Sequence, residues 1–366
     1  MIPLNAGVNI PFRETVISQI LAIRILAIQI LTMRLSPVFA LVALLSAQTA
    51  PPDPAIQKIV AEISPDRIAD TVKTLADFET RGNYSDPNQK TRGNGAARRW
   101  IYAQFQSYSK RLEVAYDVGK KGTTDIATVI AVLPGVTQPG KRIIAGAHYD
   151  SINLRVKGDK AAEAPAPGAD DDASGVAVVL ELARVMSQYR FQKTIVFIAF
   201  GGEEIGLIGS TRYAARAKAN SEQIEAVFNN DIVGDNILGV VHNDIDGSDD
   251  LTGSDGDTGN RLRVYSPDPP ESPSRRLARQ IQDVARRYVP VLKIDMVLRA
   301  DRFDRAGDHI PFQQNGFAAV RFTSASENTE VQHTANDTPE GVSPTFTADV
   351  ARLNGAAIAT LATPSR

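Results

Sequence analysis

The chain has 366 residues, 43% hydrophobic and 22% charged, enough for one large domain or two medium ones with a substantial core. Its 40 basic and 42 acidic residues leave a formal charge of −2, so there is no electrostatic footprint for nucleic acid. The absence of cysteine excludes a disulfide framework, thiolate metal ligation and a thiol nucleophile, and any bound metal must be held by His, Asp and Glu.

In chain order, the apolar run from Val16 to Leu31 is broken by Gln19, Arg24 and Gln29 and makes a poor membrane span. A better-formed signal occupies residues 33–50. Arg34 supplies the positive end, Pro37 to Leu45 the apolar core, and Ser46 to Ala50 a small-residue cleavage region. Residues 1–50 therefore read as an N-terminal extension plus a secretory signal. The expected location is secreted or periplasmic, and an uncleaved membrane anchor is the competing reading.

A single domain is expected over residues 55–362. Ile56, Ile59, Val60 and Ile63, then Ile68, Val72, Leu75 and Phe78, recur at helical spacing, and Gly, Asn and Pro mark a loop over 80–95. No strand leads into that loop, so its glycines do not make a dinucleotide fingerprint. Strands are expected at Asp125–Leu133, Arg142–Ala147, Thr194–Phe200, Ala226–Asp231 and Ala318–Phe322. Helices are expected at Ser174–Tyr189, Pro273–Tyr288 and Phe346–Leu361. This alternation predicts an α/β fold, a three-layer α/β/α sandwich around a central mixed, mostly parallel sheet. The acidic stretch from Asn243 to Asn260 lacks EF-hand spacing and reads as a solvated loop rather than a calcium site.

Polar groups gather where strands end. His148-Tyr-Asp150 follows one strand, Gly201-Gly-Glu203-Glu204 another and Asp231 a third, and the carboxyl ends of strands line the crevice of an open α/β sheet. Between them lies Gly168-Ala-Asp170-Asp171-Asp172-Ala-Ser-Gly175. Three adjacent carboxylates are costly unless a cation meets them. His333, in a late loop, completes a set of imidazole and carboxylate donors suited to Zn, Mn, Co or Fe. Taken singly, each has a structural alternative: a strand-end histidine, a helix start for Glu203 and Glu204, a capping turn for the aspartates.

Together, His148-Tyr-Asp-Ser151, Gly168 to Gly175, Gly201-Gly-Glu-Glu-Ile-Gly206, Asn230-Asp231 and His333-Thr-Ala-Asn-Asp-Thr338 resemble the co-catalytic di-zinc aminopeptidases, relatives of bacterial leucyl aminopeptidase in the superfamily of glutaminyl cyclases and glutamate carboxypeptidase. The resemblance implies two zinc ions per chain. Asp171 would bridge them, His148 and Asp231 would complete one site, and Glu204 and His333 the other; the Asp171–Asp172 peptide resembles one that relatives hold cis. Asp150 would orient His148, and Glu203 would be the general base acting on a water that bridges the metals. The implied activity is an exported aminopeptidase releasing residues from peptide or protein N-termini. A carboxypeptidase or glutaminyl cyclase on this fold, or a non-catalytic peptidase-like binding domain, remain open alternatives. His309, in Gly307-Asp-His309, is a candidate pocket residue with packing as the equal alternative. The chain departs from relatives in having no disulfide and no Tyr beside Asp308.

Overall fold

A computed structural model describes residues 51–234, 260–267, 269–302, 305–325 and 327–365. The expected extension and signal, all of the acidic loop except Asn260, and Phe303 lie outside the described residues. Among the described residues no helix is long and apolar enough to cross a membrane.

Helices α1 (Pro54–Ala61), α2 (Pro65–Ala76) and α3 (Gly93–Tyr108) precede strands β1 (Glu113–Lys121), β2 (Thr124–Leu133) and β3 (Gln138–His148). Then come α4 (Gly175–Met186), β4 (Lys193–Phe200), α5 (Ile208–Ala219), β5 (Gln223–Asn230) and β6 (Arg261–Tyr265). The described chain ends with α6 (Pro273–Tyr288), β7 (Lys293–Val297), α7 (His309–Gln314), β8 (Ala319–Ser324) and α8 (Pro344–Ala362). Asp53-Pro54, Ser64-Pro65, Ser272-Pro273 and Ser343-Pro344 start four of these helices in one way. The Asp or Ser oxygen accepts a first-turn N–H, and proline takes the first helical position, where its missing donor costs nothing.

The sheet order is β1-β2-β4-β3-β5-β8-β6-β7. Strand pairs β3/β4, β3/β5, β5/β8 and β6/β7 are parallel, and β1/β2, β2/β4 and β6/β8 antiparallel. This is the expected mixed three-layer sandwich. β4 shows why both faces are covered: Ile195, Phe197 and Ala199 pack into the core under α4 and α8, whereas Val196, Ile198 and Phe200 pack with Tyr213 of α5 and Phe312 of α7. Each buried Ile, Val or Phe contributes about 1.5–3 kcal/mol, so the central strands form a rigid platform. Register then sets the site. His148 at the end of β3 pairs with Phe200 at the end of β4, and Gly146 pairs with Asn229 of β5, so the turns after all three strands open on one edge.

The helix Pro273–Tyr288 is found with its expected ends, and the five expected strands lie within a few residues of theirs. The loop over 80–95 is shorter than expected because α3 already begins at Gly93. Strands β1, β6 and β7 and helices α5 and α7 were not anticipated. β1 is half-exposed along its length and has no clean alternation, and α5 is mostly Ala, Arg and Lys with a weak apolar stripe.

Candidate metal centre

The triple-aspartate turn splits its three carboxylates among three tasks. Asp170 Oδ1 accepts from the Gly234 N–H at 2.8 Å. Asp172 turns the other way, accepting from the N–H groups of His148 (3.2 Å), Gly175 (3.0 Å) and Ile232 (3.2 Å), and thereby ties the ends of β3 and β5 to the start of α4. Only Asp171 faces the edge where the strands end, and the Asp171–Asp172 peptide is cis.

The bracketing glycines are there for space. Gly168 has φ +54°, and a Cβ on it would lie 2.5 Å from the Asp171 carbonyl; one on Gly175 would lie 2.4 Å from the Asn230 carbonyl and 2.5 Å from Asp172 Oδ1. Gly175→Ala is expected to cost about 1–3 kcal/mol by overpacking, read as a lower Tm in chelator-treated protein, where metal loss cannot contribute.

Around Asp171 the donors fall into two groups. Its Oδ1 lies 3.2 Å from His148 Nε2, which is 3.8 Å from Asp231 Oδ1. Its Oδ2 lies 3.0 Å from His333 Nε2, which is 3.2 Å from Glu204 Oε2. One carboxylate thus offers one oxygen to each histidine. In both groups the potential ligand atoms lie within 4.8 Å of one another. His148, Glu203 and Glu204 form a third such group, so proximity alone does not separate Glu203 from the ligands.

Two observations make this donor set fit a cation. His148 Nδ1 lies 3.1 Å from the Asp150 carbonyl, an acceptor only, so Nδ1 carries a proton and Nε2 is the atom turned towards two carboxylates. That arrangement is repulsive without a proton or a metal between them. Glu204 Oε1 is buried with no hydrogen-bond partner. With imidazole nitrogens and carboxylate oxygens as the only donors, zinc fits the set.

The same crowding appears in proton affinities. Burial opposes the charge on His148, yet Glu203, Asp171 and Asp231 raise its pKa well above the usual value. Burial likewise opposes the charge on His333, but Asp171 and Glu204 push it up to about 10. Burial and then Asp171 push Glu204 up to about 7. Burial would raise Asp171, but His148 and His333 hold it well below the carboxylate range. Burial, with Glu204, Asp231 and Asp308 adding to it, raises Glu203 well above its usual value, although His148 opposes them. An excess of carboxylates held by positive charge is the electrostatic pattern of a cation site.

Asp150 is placed differently from the expected contact with His148. Its main-chain carbonyl, not its carboxylate, meets the ring; the carboxylate is 3.9 Å from Nδ1. The carboxylate instead accepts from the N–H groups of Gly202 (3.0 Å), Glu203 (3.2 Å) and Glu204 (3.1 Å) and from Asn83 Nδ2 (2.6 Å). It fixes the turn that carries both glutamates. His309 is fully buried, its Nε2 2.8 Å from the Ala300 carbonyl, and it does not line the pocket that holds the donors.

Three positioning residues were not foreseen from sequence. Arg81, fully buried, donates from Nε to Tyr149 O (2.7 Å), from Nη2 to Gly168 O (2.7 Å) and from Nη1 to Leu75 O (3.1 Å) and Pro167 O, joining the His148 turn to the aspartate turn. Asp337 accepts from Asp170 N–H (2.8 Å) and Asp171 N–H (3.0 Å), tying the His333 loop to the same turn. Arg321, also fully buried, lies 2.9 Å from both Asp231 Oδ1 and Asp301 Oδ1. Burial would raise Asp231, but Arg321 and then His148 bring it down to about 2.

Behind Arg321, Glu327 pairs with Arg302 (2.6 Å) and Arg263 and accepts from Gln332 Nε2 (3.1 Å), the residue before His333. Burial opposes the Glu327 charge, yet Arg302 and Arg263 hold its pKa at about 2, against an ordinary 4.5. A depressed carboxylate contributes stability in full above the unfolded value of about 4.5, and the contribution is lost as pH falls towards 2. Glu327→Gln is expected to cost about 3 kcal/mol at neutral pH and to flatten the fall in stability between those two pH values, measured by urea unfolding across pH.

The sequence matches the family described as Peptidase family M28 over residues 128–358, a stretch that contains all the donors above. It is 35% identical over 310 residues to a probable zinc metalloprotease of Pyrenophora tritici-repentis, an alignment covering 77% of this chain and 68% of that protein. Among solved structures, an aminopeptidase from Aneurinibacillus has a TM-score of 0.62 at 20% identity, covering 85% of this chain and 97% of that one. A glutaminyl cyclase from Porphyromonas gingivalis has a TM-score of 0.61 at 18% identity, covering 82% and 99%. At those identities the structural likeness speaks for the fold alone.

Proposed function

Because this chain belongs to peptidase family M28 and is a metallopeptidase, we propose that it is a di-zinc aminopeptidase that hydrolyses the N-terminal peptide bond of peptides. The observation that carries this reading is the placement of Asp171, with one carboxylate oxygen towards each of two histidines. His148 and Asp231 would hold one zinc, Glu204 and His333 the other, with Asp171 shared. When bound, zinc polarises a carbonyl as a Lewis acid and makes water easier to deprotonate.

The chain's own groups do the rest. Glu203 lines the same pocket, and its carboxylate, made more basic by burial and by its acidic neighbours, takes the proton of the attacking water and returns it to the leaving amine. Asp150 keeps Glu203 and Glu204 side by side through their N–H groups and aims His148 Nε2 through its own carbonyl. Arg321 holds Asp231 in its ionised, ligand-ready form.

The test is a zinc-replete assay on aminoacyl anilides of varied side chain beside their N-acetylated forms. Cleavage confined to free amines supports the reading, and cleavage of blocked substrates contradicts it. Pyroglutamate formation from N-terminal Gln would instead point to the cyclase alternative. We further propose export, supported by the signal-like sequence at residues 33–50. N-terminal sequencing of the protein from its native host tests that, with a mature start near residue 51 expected and an intact N-terminus contradicting it.

A further inference from the structure

The sheet has two outer strands, β1 and β7, and among the described residues no strand pairs with the far side of either. β7 has five residues. β1 has nine, paired with β2 from Glu113 to Lys121 without a register shift and with no proline. A long, regular edge is a template for another strand, and proteins usually blunt such edges with bulges, prolines or inward-pointing charges. We propose that two copies of this chain associate through the outer edges of β1, running antiparallel about a two-fold axis at Asp117.

The direction of the backbone groups follows from the hairpin. Lys121 pairs with Thr124 across the two-residue turn Gly122-Thr123, where Gly122 has φ +59°. The residues flanking such a turn form a hydrogen-bonded pair, and bonded and non-bonded pairs alternate along an antiparallel ladder. The odd-numbered residues of β1 therefore spend their N–H and C=O groups on β2, and those of Val114, Tyr116, Val118 and Lys120 point outward. Val114 O accepts from the Tyr102 hydroxyl (3.2 Å) and keeps a second lone pair.

The side chains of this edge match themselves. With Asp117 on the axis, Tyr116 of one copy faces Val118 of the other, and Glu113 faces Lys121. Tyr116 and Val118 are 41% and 46% exposed, and Tyr116 is held in place by stacking on Tyr102 with ring centroids 4.7 Å apart. Pairing covers both residues in both copies, and aromatic with β-branched is a favourable cross-strand pair. Lys121 Nζ donates to Ile205 O (2.9 Å), which fixes the amine and leaves two of its three donors for Glu113 of the second copy. Asp117 meets its own counterpart, but each carboxylate is already paired with Arg212 Nε (2.9 Å) and Arg216. Sliding the second strand by two residues would face Lys121 with Arg111 or Ala115, so the charges select the register.

Each copy has one β1, so the pairing closes at two copies. One strand a side is small beside the roughly 1,200–2,000 Å² of stable interfaces, and the expected Kd lies between about 1 µM and 1 mM.

The chain has no cysteine, so introduced thiols report the register cleanly. Across the axis, Glu113 and Lys121 form a non-hydrogen-bonded pair with Cα atoms about 4.5 Å apart, within reach of a disulfide. Residue 113 lies about 27 Å from residue 113 of the other copy, at about 3.4 Å per residue along the strand. Mild oxidation of a mixture of zinc-loaded Glu113→Cys and Lys121→Cys proteins is expected to give a dimer joined through those two positions, identified by peptide mass, whereas neither variant crosslinks alone. Sedimentation of the wild type is expected to show monomer–dimer exchange, weakened about tenfold by Val118→Lys with Tm kept. A monomer at about 1 mM chain, a dimer undiminished by Val118→Lys, or equal crosslinking in the mixture and the single variants overturns the interface.

Discussion

Glu203→Gln is expected to lower kcat by about 10²- to 10⁴-fold, the range that a positioned general base contributes, while zinc stays bound. The amide keeps the shape of the side chain and loses its ability to accept the proton. The N–H bonds that place residues 203 and 204 belong to the backbone and to Asp150, so the turn survives the change. Kinetics beside metal analysis separate the two possible roles of a residue that proximity alone leaves ambiguous. Loss of turnover with metal retained marks a base, whereas loss of metal and turnover together would make Glu203 a ligand.

Asp171→Ala should have a different signature. It removes the carboxylate that faces both histidines, leaving His148 with Asp231 and His333 with Glu204 as separate two-residue groups. Zinc is expected to fall below one per chain, hydrolysis to drop below detection, and the rise in Tm that zinc gives the wild type to disappear, because that rise is binding free energy linked to folding. Asp170→Asn is the useful contrast. Asp170 Oδ1 serves the Gly234 N–H and does not face the donors, so that variant should lose stability before it loses metal.

Three of the donor residues, His148, Glu204 and Asp231, were legible in the sequence because each sits where a strand with a strong apolar run stops. Thr194 to Phe200 can only be a buried strand, so the Gly-Gly-Glu203-Glu204 that follows it had to lie at a sheet edge, and His148 and Asp231 follow by the same logic. The crowding of Asp170, Asp171 and Asp172 announced a charge problem. Which of them faced the centre came from the resemblance, not from the charges.

The supporting layer was not legible. Arg81 acts through carbonyls of residues 75, 149, 167 and 168, and Asp337 through two backbone N–H groups; such contacts depend on where loops meet and leave no spacing to read. Arg321 sits inside the apolar strand β8, where a lone arginine looks like an interruption until its partners Asp231 and Asp301 are seen. The Asp150 carboxylate shows the same limit, since its position two residues after His148 suggested the ring and its bonds go to the glutamate turn.

The central claim is that one carboxylate organises two metals. Titrating zinc into chelator-stripped wild type and Asp171→Ala, with bound metal counted and hydrolysis followed in the same samples, tests it most directly. Two equivalents per chain in the wild type, with activity appearing as they fill and neither retained by the variant, is the predicted result. One equivalent in the wild type, or metal binding that survives the loss of Asp171, would contradict it.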